Sequence, residues 1–330
     1  MAIQTAPSIA LTTSSIACST LEQDKQRHHQ CKSRKATTSS PNNVTSENDM
    51  CTSDLSDNSG KIAFIISQLS PEELEILSRC AYRYLKNPVP SRRNIFAKRV
   101  VYRCLKSKKG NTELGLAKVK KLIDFRRKAN IDELITAFDE DSNHGSNDTS
   151  KTLQKHLASK KFYVQGFDKE GRSTLYFIPR NVVDHDLDSA IYSIERALAC
   201  SRSLDSTINC VVDFSEFPLS NAPSMEIGKQ FLSTLRVIYA GQINRIFLVN
   251  VPFTFSILWN MFSPFVGTDT RGKITIFKNN RKEEKEREIL NLYDLEELPH
   301  WAVSGGQKNR SIDVDEYLFA LPFDSAFDSK

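Results

Sequence analysis

The residues best spaced for chemistry in this chain are Asp184-His185-Asp186, an imidazole between two carboxylates, and Asp213, near the end of the apolar run 207–214. The triplet offers a metal ligand set or an acid–base pair, and a carboxylate at the C-terminal edge of an α/β sheet stands where catalytic groups gather. Neither comes with the partners that chemistry needs. Asp184 and Asp186 precede an amphipathic segment, where acidic side chains favour a helix N-terminus. Asp213, without a base or nucleophile, reads as a helix cap or loop anchor. There is no GxSxG elbow, GxxxxGK[ST] loop or HExxH pair. The six histidines fall mostly in polar stretches, and the seven cysteines show no CxxC spacing and leave an odd number. A disulfide framework and a zinc site are excluded, and a reducing compartment is implied. The expectation is a protein that is not an enzyme and has no catalytic residue, metal or cofactor.

A second kind of chemistry is suggested by what residues 246–268 lack. IFLVNVPFTFSILWNMFSPFVGT contains no charge, in a chain that is 26% charged. A membrane span needs about 20 unbroken apolar helical residues, but Pro252 and Pro264 divide the run and Asn250, Asn260 and Ser263 interrupt it. It reads as a short strand, IFLVN, followed by a helix over 253–266 carrying Phe255, Leu258, Trp259, Phe262 and Phe265. Ser256, Asn260 and Ser263 share one uncharged face. Such a helix suits a wall facing lipid.

The elements that must position this wall follow from periodicity. Residues 1–60, rich in Ser, Thr and Asn, predict a disordered tail; the first 24 hold no Lys or Arg, so a basic signal-peptide n-region is missing and the tail reads as cytosolic. Ser70-Pro71-Glu72-Glu73 caps a helix bearing Leu74, Leu77, Ala81 and Tyr84. Further helices are predicted over 92–106, 113–128 and 131–138, the first two strongly basic, and a linker over 139–150. Strands at 162–167 and 173–178 then flank the turn Asp168-Lys169-Glu170-Gly171. After them come a helix (187–198), strand (207–214), helix (225–239), strand (245–250), the charge-free helix and a strand (273–277). RKEEKEREI at 281–289 reads as a solvated helix with charge pairs. Strand–helix–strand units of this length imply an α/β fold with a largely parallel sheet. The formal charge of +5 permits attraction to anionic membranes but does not argue for nucleic acid.

In order and spacing, five stretches resemble the CRAL-TRIO lipid-binding domain, the family of phosphatidylinositol-transfer and tocopherol- or retinaldehyde-binding proteins. They are FDKEGRSTLYF (167–177), INCVVDFSEF (208–217), RIFLVNVPFTFSILWNMFSPFV (245–266), RGKITIF (271–277) and LEELPHWAVSGG (295–306). The helices from 92 to 138 resemble the module that precedes this domain. Added to the disordered tail read from composition (1–60), the resemblance implies a helical module and linker (61–150), a lipid-binding domain (151–310) and a C-terminal tail (311–330). It also implies a sheet flooring an apolar pocket, with the helix after Asn250-Val251-Pro252 as a mobile gate. Phe253, Phe255, Leu258, Trp259, Met261, Phe262 and Phe265 are then the pocket and gate residues. Where phosphatidylinositol-binding members carry Tyr-Pro-Glu-Arg, this chain has Tyr239-Ala240-Gly241-Gln242, so the acidic residue is absent. The family's basic counterpart is matched by Lys273, the head-group candidate.

The implied function is binding and intermembrane transfer or presentation of a phospholipid or other small hydrophobic ligand. The implied protein is a cytoplasmic monomer in transient, peripheral contact with membranes. Lys98, Arg99, Arg103, Lys106, Lys108, Lys109, Lys118, Lys120, Lys121, Arg126, Arg127 and Lys128 supply a basic surface for that contact. A rival reading keeps the fold as a scaffold for a protein partner in trafficking or signalling.

Overall fold

The computed structural model describes residues 58–82, 90–135, 137–138, 148–201, 203, 207–239, 241–278 and 280–308. The expected tails, except for residues 58–60, and most of the expected linker therefore lie outside the described residues, as does Tyr84. The first helices are α1 (Ser59–Ser67), α2 (Pro71–Tyr82), α3 (Pro90–Lys106), α4 (Thr112–Lys128) and α5 (Ile131–Ile135). The capping box at α2 closes as expected: the Ser70 amide donates to Glu73 Oε2 at 2.8 Å, and the Glu73 amide donates back to Ser70 Oγ at 3.2 Å. Two basic residues assigned to a membrane-facing surface are spent on α2 instead. Lys120 pairs with Glu73 at 2.8 Å and Arg127 with Glu72 at 2.9 Å. The fourth predicted helix stops at Ile135. A helix missing from the sequence reading, α6 (Asp148–Ala158), begins inside the expected linker and buries Leu153, His156 and Leu157. Its polar opening, DTS, looks like loop, but Asp and Ser are also residues that start helices.

The α/β part begins with β1 (Phe162–Phe167) and β2 (Ser173–Phe177), an antiparallel hairpin turned through Gly171 at φ 77°. Then come α7 (Leu187–Cys200), β3 (Ile208–Asp213), α8 (Met225–Ile238), β4 (Ile243–Val251), α9 (Phe255–Phe262), α10 (Thr268–Arg271), β5 (Ile274–Lys278) and α11 (Lys282–Leu292). The five strands pair in chain order, and every contact from β2 to β5 is parallel. The fold is α/β with a mostly parallel sheet, as expected. The predicted 253–266 helix is shorter: α9 ends at Phe262, and Ser263–Phe265 continue as one 3₁₀ turn in which Pro264 cannot donate to the α ladder.

Alternation along the strands sorts the sheet into two faces. Tyr163, Tyr176, Val211, Phe247 and Phe277 point to one face, packed by Ile289 of α11, Tyr293, Leu298 and Val303. Val212 and Leu248 point to the other, under Phe255 and Leu258 of α9. A third cluster runs without interruption from Ile62 and Val119 to Ile191, Ile208 and Tyr239, so the N-terminal helices and the α/β layers share one core. At its centre Arg126, another of the assigned basic-surface residues, is 4% exposed and pairs with Glu195 of α7 at 2.9 Å. The Tyr239 hydroxyl donates to the same carboxylate oxygen at 2.8 Å. Arg126 is lost to any membrane surface. The 281–289 helix also departs from expectation, because Lys285 is 7% exposed rather than solvated.

Candidate functional site

β2, β3 and β4 run parallel, so their C-terminal ends and the segments that follow meet at one edge of the sheet. A cavity of about 240 Å³ lies there, between the sheet, the start of α7, α8 and α9. Its floor is aromatic. Phe162 and Phe177 stack across the hairpin with ring centroids 4.6 Å apart, and Phe214 meets Phe217 at 5.5 Å and Phe255 at 4.8 Å, edge to face. Leu258, Trp259 and Phe262 of α9 form the roof, with Ile227 and Phe231 of α8 beside them. Gly228 permits this closure, since a Cβ there would collide with the Phe262 ring.

The seven predicted pocket and gate residues thus separate into groups. Phe255, Leu258, Trp259 and Phe262 line the cavity. Met261 packs at the margin of the apolar cluster beneath α9. Phe265, 37% exposed, lies under the Lys229 ammonium, 5.0 Å from the ring centroid. Phe253 is 96% exposed and faces solvent rather than the cavity. Ile257, one turn further along, is 60% exposed. Only two residues of α9, Phe255 and Leu258, are buried.

The segment before α9 is anchored by Asp213, as its position without catalytic partners suggested. Its Oδ1 accepts from Asn250 Nδ2 at 2.8 Å and from the Ser215 amide at 3.0 Å, and its Oδ2 from Arg180 Nη1 at 3.0 Å. Asn250 takes a left-handed backbone (φ 54°), which asparagine tolerates better than most residues. The Asp184-His185-Asp186 triplet is divided. Asp186 caps α7, accepting from the amides of Asp188 and Ser189 at 3.0 and 2.8 Å, while Asp184 pairs with His156 at 3.0 Å. His185 lines the cavity, and burial, reinforced by nearby Lys161, pushes its pKa below the ordinary histidine value.

Lys273 is not brought to this cavity. It precedes β5 at the opposite edge of the sheet and donates to the Ile243 carbonyl. The basic group at the cavity is Lys161, 3% exposed, whose ammonium donates to the Asp184 carbonyl at 2.8 Å and lies 5.2 Å from the Phe162 ring centroid. Desolvation holds its pKa below the usual lysine range. Sequence reasoning missed Lys161 because it looks like a surface residue of SKKF. The one available signal was its place immediately before a strand that opens on Phe162.

Residues 157–301 match the model of the CRAL/TRIO domain. A CRAL-TRIO domain-containing protein of Schizosaccharomyces pombe is 27% identical over 126 residues, covering 37% of this chain and 12% of the relative. Patellin-6 of Arabidopsis thaliana is 24% identical over 148 residues, covering 39% of this chain and 36% of the relative. The chain therefore spans a minor part of both relatives. The crystal structure of Sfh5 superposes with a TM-score of 0.51 at 16% identity, over 83% of this chain and 92% of that one, which establishes the likeness of fold. Residues 157–301, less than half of the chain, are thus what is similar to the CRAL/TRIO domain.

Proposed function

We propose that this protein binds a phospholipid or other small hydrophobic molecule in the aromatic cavity beneath α9 and transfers or presents it at membranes, without chemical conversion. The observation that carries the reading is the two-sidedness of α9. Its inner face roofs an apolar cavity, while Phe253 just before it and Ile257 upon it expose apolar surface to water. Each such side chain forgoes about 1.5–3 kcal/mol relative to burial, and an apolar surface beside an apolar cavity suits a segment that opens against a bilayer. The cavity's 240 Å³ lies below the about 300–1,000 Å³ usual for ligand pockets. A lipid therefore enters by displacing α9 outward from the sheet, turning about Asn250 and Pro252.

The polar groups a head group would meet are Lys161, His185 and Gln230, all on the cavity lining, rather than Lys273. We assign binding to 151–310, with 61–150 as its supporting module and the tails dispensable. Among the described residues no helix is long and apolar enough to cross a membrane; the membrane contact assigned here is peripheral and made by the exposed Phe253 and Ile257. The test is to isolate the protein from cells and identify bound molecules by mass spectrometry. Stoichiometric lipid, lost in Trp259→Asp at the partly buried cavity wall, is the expected result. Lipid-free protein that captures none from vesicles would remove the proposal in favour of the scaffold reading.

A further inference from the structure

On the opposite face of the sheet, at the same C-terminal edge, lies a second cavity of about 540 Å³ with a different character. Lys278 at the end of β5, Lys282 and Lys285 of α11, and His300 line it, together with Glu216 and Glu286. Glu286 is already engaged: it accepts from the Ser304 amide at 3.0 Å and hydroxyl at 2.7 Å, which hold its carboxyl below the usual range. Asp213, whose charge also reaches Lys285, is satisfied by Arg180 and Asn250. None of the three lysine ammonium groups makes a hydrogen bond or ion pair among the described residues. For Lys278 and Lys282, both exposed, that is ordinary. Lys285 differs: the residue is 7% exposed, and its ammonium opens on the cavity without a protein partner among the described residues. Burial lowers its pKa, the cost of holding an ammonium there without a partner. Two non-glycine residues on the rim, Glu216 and Asn250, both sit at φ 54°. Left-handed strain of this kind is retained where the surrounding structure needs the geometry.

We propose that this cavity is a second binding site, for a phosphate-bearing anion held by Lys285 with Lys278 and Lys282. Ammonium groups gathered in a concave, partly desolvated wall suit phosphate oxygens, and the volume falls within the range of small-molecule sites. The site does not depend on the apolar cavity. It shares with it only the aromatic layer of Phe214 and Phe217, which line both, and it borders the Asn250–Pro252 hinge from behind.

The anion can come from solution or from a phosphorylated lipid head group, and two arms separate the sources. In the first, the full chain is titrated calorimetrically with pyrophosphate, which has no apolar part to be held by the aromatic walls of the lipid cavity. In the second, sedimentation compares vesicles of phosphatidylcholine with the same vesicles doped with a phosphoinositide. Lys285→Met, which fills the buried position without charge, and Lys282→Glu, on the exposed helix surface, should each weaken the responding arm by about tenfold or more. Loss in the pyrophosphate arm assigns a soluble anion; loss confined to doped vesicles assigns a head group. The proposal is overturned if neither arm responds to both variants, or if the distant Lys121→Glu weakens pyrophosphate as much, since the effect is then net charge alone.

Discussion

α7 carries a glutamate and an arginine yet buries 11 of its 14 residues, whereas α9 carries no charge yet buries only Phe255 and Leu258. Both helices lie on the same side of the sheet. The inversion shows that burial here follows partners rather than composition. Glu195 can be buried because Arg126 and Tyr239 meet its carboxylate in the core that joins the N-terminal helices to the sheet. Among the described residues no layer covers α9, and its outer apolar groups remain in water at a cost that makes sense if another apolar phase receives them.

The hardest blow to this contrast is dealt at Glu195. Replacing it with alanine takes the carboxylate away from the buried Arg126 guanidinium, and stability should fall by about 3–5 kcal/mol in a denaturant titration. A loss below about 1 kcal/mol would mean that the ion pair does not latch the helical module to α7.

Aspartate scanning of α9 and the residues just before it sharpens the other half. Leu258→Asp buries an unpaired carboxylate over Val212 and Leu248 and should cost several kcal/mol. Phe253→Asp and Ile257→Asp should leave stability within about 0.5 kcal/mol of the parent. The same two should weaken vesicle binding about tenfold or more, because each removes about 1.5–3 kcal/mol of apolar transfer. Equal unfolding in all three would make α9 ordinary core.

Gly228→Ala probes the latch between α8 and α9. The new methyl meets the Phe262 ring, but alanine also returns up to about 1 kcal/mol of helix propensity. Stability should therefore change little while lipid exchange between labelled vesicles accelerates. Unchanged exchange would show that Phe262 does not hold the roof shut.

The smallest effects belong to the basic surface. With Arg126, Lys120 and Arg127 committed to internal partners, Lys108, Lys109 and Lys121 are among the exposed lysines that remain, with Lys98, Lys106 and Lys128. Reversing each should weaken docking to anionic vesicles by up to about 1 kcal/mol, an effect that fades with salt as the screening length falls below about 8–10 Å. Docking indifferent to salt and to these reversals would leave them as solvated surface.

Periodicity exposed much of this architecture, because strands with alternating faces and helices with apolar stripes advertise themselves locally. The order of α7 to β5 was legible on that basis, whereas the pocket role of Leu258, Trp259 and Phe262 rested on the family resemblance, since periodicity alone reads them as core. α6 was hidden by its polar first turn, and the 3₁₀ ending of α9 by the uniform hydrophobicity across Pro264. What local pattern cannot carry is direction. Phe253 and Phe255 are two positions apart in one apolar run, but the turn after Pro252 sends one to solvent and the other into the cavity. Lys161 and Lys273 both flank strands, and only the sheet's topology decides which reaches the site. Lys285 was concealed among charges that look solvated.

The account turns on whether α9 is a movable roof, and Trp259 reports on it directly, being one of only two tryptophans. Its indole lines the cavity, stacked 6.2 Å from Phe255. In a Trp301→Phe background, Trp259 emission should shift when phosphatidylcholine vesicles are added, and the shift should disappear in Phe253→Asp/Ile257→Asp, which removes the outer apolar contact. Emission that ignores vesicles, while the protein still exchanges lipid, would contradict a roof that opens against the bilayer.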